Sequence, residues 1–436
     1  MANASILKVR AWPLATLTLA AALLVAAPPA GAQSRGRART RRPAAQAPQQ
    51  PAPQQQAAAR PSPAFDEAVK LGDAAREGNR LDEAIGHYAR ALKLQPKWVD
   101  GWWYIGAIFY EKDRYADARD ALRNVVALDP KRGPAWGLLG LCEFQTREYD
   151  RAGNSMLRGR ALGFGGNEEL ESVVRYHAAL LYIRYESFEI AYDILTEFLR
   201  AGNESPKVVE AFGLAILRMP LLPDEIPTGK REQVMLAGRA AFSMAARRME
   251  QARAAFDELL ARYPAEPNVH YAFGVYLLGQ DADAAMKEFK RELEISPNHF
   301  PSMVQMAFEH LKRDEYDEAL PLAERAVQLA PKMFPARNVL GRVLLELGQV
   351  ERAIKELEEG TRLAPNSPEM HYALGRAYRR AGREADAKRE VALFQKLQEE
   401  FNARRNAQLR GGAAGGEGQP AGENQPAGGE QPKAKP

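Results

Sequence analysis

Residues 99–130 read VDGWWYIGAIFYEKDRYADARDALRNVVALDP. Trp102, Ile105, Gly106 and Phe109 are followed by Ala118, Leu122, Val125 and Pro130. The apolar positions recur three or four apart, the period of a helix face. Thirty-four residues earlier stand Ala68, Leu71, Gly72, Ala75, Ala84, Tyr88, Ala91 and Pro96. Self-similarity at this period marks stacked helix–turn–helix units. Units of that kind form an all-α solenoid, and solenoids work by presenting a long surface to something else.

The same pattern runs from about Phe65 to Phe401. Units start near Phe65, Val99 and Gly133 and, after a five-residue slip at Gly163-Phe164-Gly165-Gly166, near Ser172. The Pro206 unit is incomplete: it offers one helix, Val208–Leu217, and then the pattern breaks. Met219–Gly229 holds three prolines, which remove backbone donors and clash with the preceding turn, so it cannot be a helix. Leu221, Leu222 and Ile226 within it read as a strap packed on the repeats. The pattern resumes near Gln233, Pro267, Phe300, Phe334 and Pro368. A small eighth residue (Gly72, Gly106, Gly140, Gly274, Gly341, Gly375) and an alanine at the twentieth position let the paired helices approach closely. Pro96, Pro130, Pro264, Pro331 and Pro365 end second helices. The polar stretch Glu390–Arg404 suits a solvent-facing cap on the last unit.

Trp102-x2-Ile105-Gly106-x2-Phe109…Ala118…Leu122…Pro130 resembles the tetratricopeptide repeat (TPR) family, as does Arg337-x2-Leu340-Gly341-x2-Leu344…Ala353…Leu357…Pro365. The resemblance covers roughly three quarters of the chain and implies a right-handed superhelical solenoid spanning 65–407. In that family the first helices line a concave groove. The positions that face it fall here on Trp103, Tyr104, Tyr110, Phe144, Tyr176 and Leu180, and further on upon Phe308, Asn338, Arg342, Tyr372, Arg376, Arg379 and Arg380. The first set is aromatic and apolar, suiting a peptide with bulky anchors. The second stacks guanidinium forks, which suit a carboxylate, an acidic peptide or an anionic glycan. Aromatics at helical spacing also serve as inter-repeat core, and arginine clusters as solvated faces. The family's chaperone-tail clamp needs Lys and Asn where the first unit has Val69 and Asp73, so that activity is not expected.

The ends differ from the middle. Residues 1–64 hold eight basic and no acidic side chains, and 409–436 hold three of each. The chain's net charge is +4, which leaves the repeat body at −4. A mildly acidic body argues against nucleic acid as a partner. Lys8 and Arg10, the apolar Leu14–Ala27 and the small Ala30-Gly31-Ala32 read as a cleavable export signal over 1–32. The apolar run is too short to span a bilayer comfortably, so no transmembrane segment is expected in the mature chain. An uncleaved signal acting as a membrane tether is the alternative. Residues 33–64, rich in Pro, Gln, Ala and Arg, read as a disordered linker, and 408–436, built of Gly, Gln, Pro and Glu, as a disordered tail.

Chemistry is hard to place. Cys142 is the only cysteine and sits in an apolar helix run, where it reads as a buried small hydrophobe. The six histidines show no metal-ligand spacing. His270 and His371 occupy the fourth position of their units, where Trp102 and Trp136 stand elsewhere, and read as packing residues. No catalytic constellation, metal site or cofactor is expected. The expectation is a non-enzymatic scaffold of the bacterial cell envelope, periplasmic or secreted, holding a peptide segment or partner protein in its groove. The alternative is a protein that binds carbohydrate or another envelope polymer. Neither the partner nor the oligomeric state follows from the sequence.

Overall fold

A computed structural model of the chain describes residues 62–199 and 204–413. The expected export signal, the linker up to residue 61 and the tail from residue 414 lie outside the described residues. These contain nineteen α-helices, two short 3-10 turns and no strand. They divide into two compact units, 62–297 and 298–413.

In the first unit, α1 (Pro63–Glu77) pairs with α2 (Leu81–Leu94), α3 (Val99–Glu111) with α4 (Tyr115–Leu128), and α5 (Gly133–Gln145) with α6 (Tyr149–Leu162). There follow the pair α7 (Glu168–Arg184) and α8 (Phe188–Leu199), then α9 (Pro206–Ile216) and α10 (Arg231–Ala245). The unit closes with α11 (Met249–Arg262), α12 (Val269–Leu277) and α13 (Ala282–Ile295). In the second unit α14 (Phe300–Lys312), α16 (Phe334–Glu346) and α18 (Pro368–Arg380) are first helices. Their partners are α15 (Tyr316–Leu329), α17 (Val350–Leu363) and α19 (Glu384–Ala413).

Each pair is built the same way. A Cβ added at Gly72 would lie 2.5 Å from the Tyr88 ring, and one at Gly341 2.5 Å from Leu357. The glycine at position eight thus makes room for a large side chain sixteen residues on. The alanines at position twenty (Ala84, Ala118, Ala152, Ala252, Ala319, Ala353) are fully buried between the helices. Tyr88, Leu122, Phe256, Phe289 and Leu357 fill the layers between them and are likewise inaccessible. Burial of each such side chain contributes about 1.5–3 kcal/mol.

The tight turn inside most pairs takes a left-handed residue, though the α12–α13 turn does not. Asn79, Asp113, Arg147, Glu186, Arg247 and Asp314 hold φ between 55° and 63° there, and Gly348 and Gly382 take the same place. Successive pairs are joined by a second recurring bond. Trp102 Nε1 donates to the Pro96 carbonyl at 2.9 Å and Trp136 Nε1 to that of Pro130 at 3.0 Å. Arg337 Nε does the same to Pro331 at 2.8 Å, and the Nε2 atoms of His270 and His371 meet Pro264 and Pro365 at 2.9 and 2.8 Å. The carbonyl beyond a helix end would otherwise need a partner from solvent. The fourth position is therefore a polar tether as well as a packing site.

Three places depart from a plain repeat. At the glycine joint Gly163, Gly165 and Gly166 all have positive φ, and the turn drops Phe164, 5% exposed, against Gly137 and Gly159. Second, α9 is not an orphan. Its Gly213 faces the Val234 carbonyl of α10, and Gly238 of α10 faces the Val209 carbonyl of α9. A Cβ on either glycine would sit 1.9–2.0 Å from the opposing oxygen, so two backbones touch here. α10 also pairs with α11, serving as second helix to one neighbour and first helix to the other. Third, α19 continues to Ala413, past the expected boundary at 407, and α1 begins at Pro63, inside the expected linker.

The segment between α9 and α10 forms two 3-10 turns, Pro223–Glu225 and Thr228–Lys230. Leu222 and Ile226 are 3% and 6% exposed. Glu225 accepts from the Leu222 amide at 3.0 Å and pairs with Arg184 of α7 at 2.5 Å. Arg231 pairs with Glu210 at 2.5 Å and donates to the Pro223 carbonyl at 2.9 Å. The segment is a strap fastened to α7, α9 and α10.

Candidate functional site

The aromatic candidates of the first unit do not converge. Tyr104 stacks on Tyr88, centroids 5.2 Å apart, with the Arg76 guanidinium 4.4 Å over its ring. It belongs to the core between α2 and α3. Trp103 points elsewhere, and its ring is covered by Arg132 at 4.7 Å, which is itself held by Asp100 at 2.9 Å. A guanidinium thus lies over one face of the Trp103 ring. Phe144, 9% exposed, meets the His177 ring at 4.8 Å, and His177 meets Tyr176 at 5.4 Å. Tyr110 packs edge-on against Tyr115 and lines a small cleft with Leu138, Leu141 and Leu170. Burial pushes the Tyr110 and Tyr176 hydroxyls far above the usual phenol range. These rings are chiefly inter-helix packing.

The second unit behaves differently. Asn338 and Arg342 lie one turn apart on α16, and Tyr372 and Arg376 one turn apart on α18. All four line one open groove of about 280 Å3, to which Phe394 and Gln398 of α19 also contribute. Tyr372 is 51% exposed and packs on Phe394 with ring centroids 5.3 Å apart. Phe394 was not among the expected groove residues. It ends the short apolar run Val391-Ala392-Leu393-Phe394 directly after Glu390, and that run within an otherwise charged helix was the available signal.

The arginines fall into two groups. Glu346 pairs with Arg376 at 2.8 Å and with Arg380 at 3.3 Å. Arg379 is exposed and does not line the groove. Arg342 is half-buried, with its guanidinium 5.3 Å from the centre of the Phe308 ring. Among the described residues no carboxylate pairs with it. Burial, and then the like charge of Arg376, pulls Arg342 below the usual guanidinium range. The groove thus offers aromatic faces, the amides of Asn338 and Gln398, and the half-buried Arg342, which Glu346 attracts through space without forming an ion pair; Glu369, exposed and accepting from the Ser367 hydroxyl at 2.8 Å, stands at its edge.

Sequence models of the tetratricopeptide repeat match residues 310–377 and, as a second model of the same repeat, 69–132, 108–161 and 243–300. The chain belongs to the tetratricopeptide repeat family. A TPR stretch of it is 27% identical over 142 residues to the general transcriptional corepressor trfA of Dictyostelium discoideum, 33% of this chain and 10% of that protein. The general transcriptional corepressor ssn6 of Schizosaccharomyces pombe is 24% identical over 144 residues, 33% of this chain and 13% of that protein. The chain therefore spans about a tenth of the length of the curated relatives it matches. Solved structures of MamA are also similar. The RS-1 ArsTM double mutant has a TM-score of 0.36 at 22% identity, covering 39% of this chain and 97% of that one. The 41-end chain from Desulfovibrio magneticus RS-1 has a TM-score of 0.35 at 23% identity, covering 39% and 96%. TPR proteins bind protein partners, and this chain is an interaction scaffold in that sense.

Proposed function

We propose that this TPR protein is an exported, non-enzymatic scaffold of the bacterial cell envelope that holds a peptide segment of a partner protein in the groove between α16, α18 and α19. The observation that supports it most is the convergence of Asn338, Arg342, Tyr372, Arg376 and Phe394 on one open groove. Half-exposed aromatics beside a cation are the composition of peptide-binding hot spots, where a few anchors carry most of the affinity. The export signal read over 1–32 supplies the envelope setting, and no described helix is long and apolar enough to cross a membrane.

In-cell photo-cross-linking tests the reading. A photoreactive side chain at position 372 should trap a defined envelope protein, whereas one at the exposed Lys355 of α17 should not. Equal trapping at both positions, or none at 372, overturns the assignment of the groove. N-terminal sequencing of the mature chain should return Gln33; a chain starting at Met1 and found in the cytoplasm overturns the envelope setting.

A further inference from the structure

The four arginines expected at the groove are not equivalent, and the difference defines what the groove takes. Two of them, Arg376 and Arg380, are already bridged by Glu346. Arg342 is the groove-lining arginine that makes no ion pair among the described residues: it feels Glu346 only through space, rests by the Phe308 ring and lies one turn from Asn338, while the groove's other carboxylate, Glu369, accepts from the Ser367 hydroxyl. A guanidinium removed from water without a paired carboxylate is costly, and the cost is recovered when a carboxylate arrives with fork geometry. The Tyr372–Phe394 pair stands across the same groove and offers an apolar face to the residue beside that carboxylate.

Building on the peptide-scaffold reading, we infer that Arg342 is the anchor for an acidic side chain of the partner segment, that the Tyr372–Phe394 pair takes a bulky apolar neighbour of that side chain, and that Glu346 is a built-in competitor. Glu346 holds Arg376 and Arg380 in the unliganded chain, so an acidic segment engages Arg342 first and shares the other guanidinium groups only by displacing Glu346. This arrangement favours segments carrying an acid next to an aromatic or aliphatic residue over segments that are merely acidic, since Arg342 is flanked by rings and not by other free cations.

Short random peptides displayed on phage and selected on the full chain provide the probe, with the selected peptides resynthesised in pairs that keep each acidic residue or replace it by its amide. Selection should enrich Asp or Glu beside a bulky apolar residue. The amide version and the Arg342→Gln chain should each weaken binding by about thirtyfold or more, the scale for truncating one partner of a desolvated ion pair. Arg342→Lys, which keeps the charge and the aliphatic stem but loses the fork, should fall between Gln and the native chain. Glu346→Gln should tighten binding by about threefold, because it releases two cations held by an exposed pairing of small net worth. Neutral peptides that bind equally well to the native and Arg342→Gln chains would overturn the inference while leaving the scaffold reading intact. Weaker binding to Glu346→Gln would overturn the competitor role. A selection that returns no binder above background would sink the inference and the groove reading together.

Discussion

His270 Nδ1 lies 2.6 Å from Glu288 Oε2 in the core of the α12–α13 pair, while Nε2 of the same ring lies 2.9 Å from the Pro264 carbonyl. A carbonyl oxygen can only accept, so Nε2 must donate. The remaining nitrogen then faces a carboxylate, and the pair is satisfied only when a further proton sits between them. The Glu288 hydrogen bond accordingly raises the His270 pKa above its ordinary value, against the effect of burial. Arg291 works the other way, and Glu292, fully buried, closes the site by accepting from the Asn268 and Tyr271 amides.

The sign of the pH dependence follows. A folded-state pKa raised above the unfolded value of 6.5 gives stability that is fully present below pH 6.5 and lost as pH rises through the folded pKa. The buried His177, whose pKa is pulled down by burial, gives the opposite slope, so the prediction is read as a difference: relative to Glu288→Gln, the melting temperature of the native chain should fall from pH 6 towards pH 9. Glu288→Gln removes the group that raises the pKa, and its melting temperature should lose that slope. It should also be less stable at pH 6, by about 1–3 kcal/mol, the cost of unpairing a buried group. Identical slopes in the two chains would contradict the assignment.

The α9–α10 contact should be the least tolerant point of the first unit. At Gly213 and Gly238 an alanine methyl would enter the van der Waals shell of a backbone carbonyl, which cannot rotate away. Gly213→Ala should lower stability by about 2–4 kcal/mol. Gly86 on the exposed face of α2 has nothing within 4 Å of an added Cβ. Gly86→Ala should instead gain about 0.5–1 kcal/mol from helix propensity. Urea titration of both variants separates the two effects, and a neutral Gly213→Ala would mean that the helices part more easily than the geometry implies.

The left-handed turns yield a prediction of the opposite sign. Arg247 holds φ at 57° with a side chain that gains little there, whereas Gly348 and Gly382 fill the equivalent places at no steric cost. Arg247→Gly should relieve about 1 kcal/mol of backbone strain, partly offset by the greater freedom of glycine in the unfolded chain. The expected result is a small rise in melting temperature. A fall would show that the Arg247 side chain contributes more than its backbone costs.

How much of this was legible beforehand depended on whether a position repeats in residue type or only in geometry. Helix pairing was legible because Gly72, Gly106 and Gly341 and the buried alanines keep both type and spacing. The left-handed turn was not, since its occupants are Asn, Asp, Arg, Glu and Gly, linked by φ alone. The proline-carbonyl tether is hidden in the sequence for the same reason: Trp, His and Arg share a donor nitrogen at similar reach and little else. In the groove, Asn338, Arg342, Tyr372 and Arg376 followed from family position. Phe394 comes from a second helix, outside those positions. The failure of Trp103 and Tyr104 to form a surface depends on Arg132 and Tyr88, whose side-chain directions no repeat pattern specifies.

The strap between α9 and α10 offers the last test. Gly213 and Val234 already bring the end of α9 to the start of α10, so a few residues could bridge the gap that the strap spans with many. The additional length runs out to α7, where Glu225 meets Arg184, and buries Leu222 and Ile226. The strap is thus a brace across neighbouring pairs. Leu222→Ala should cost about 2–3 kcal/mol. Replacing 219–230 by a short Gly-Ser turn should cost more, and should raise hydrogen exchange in α7 and α9 before α3 and α4 respond. Unchanged melting after the replacement would show that the strap is only a tolerated insertion.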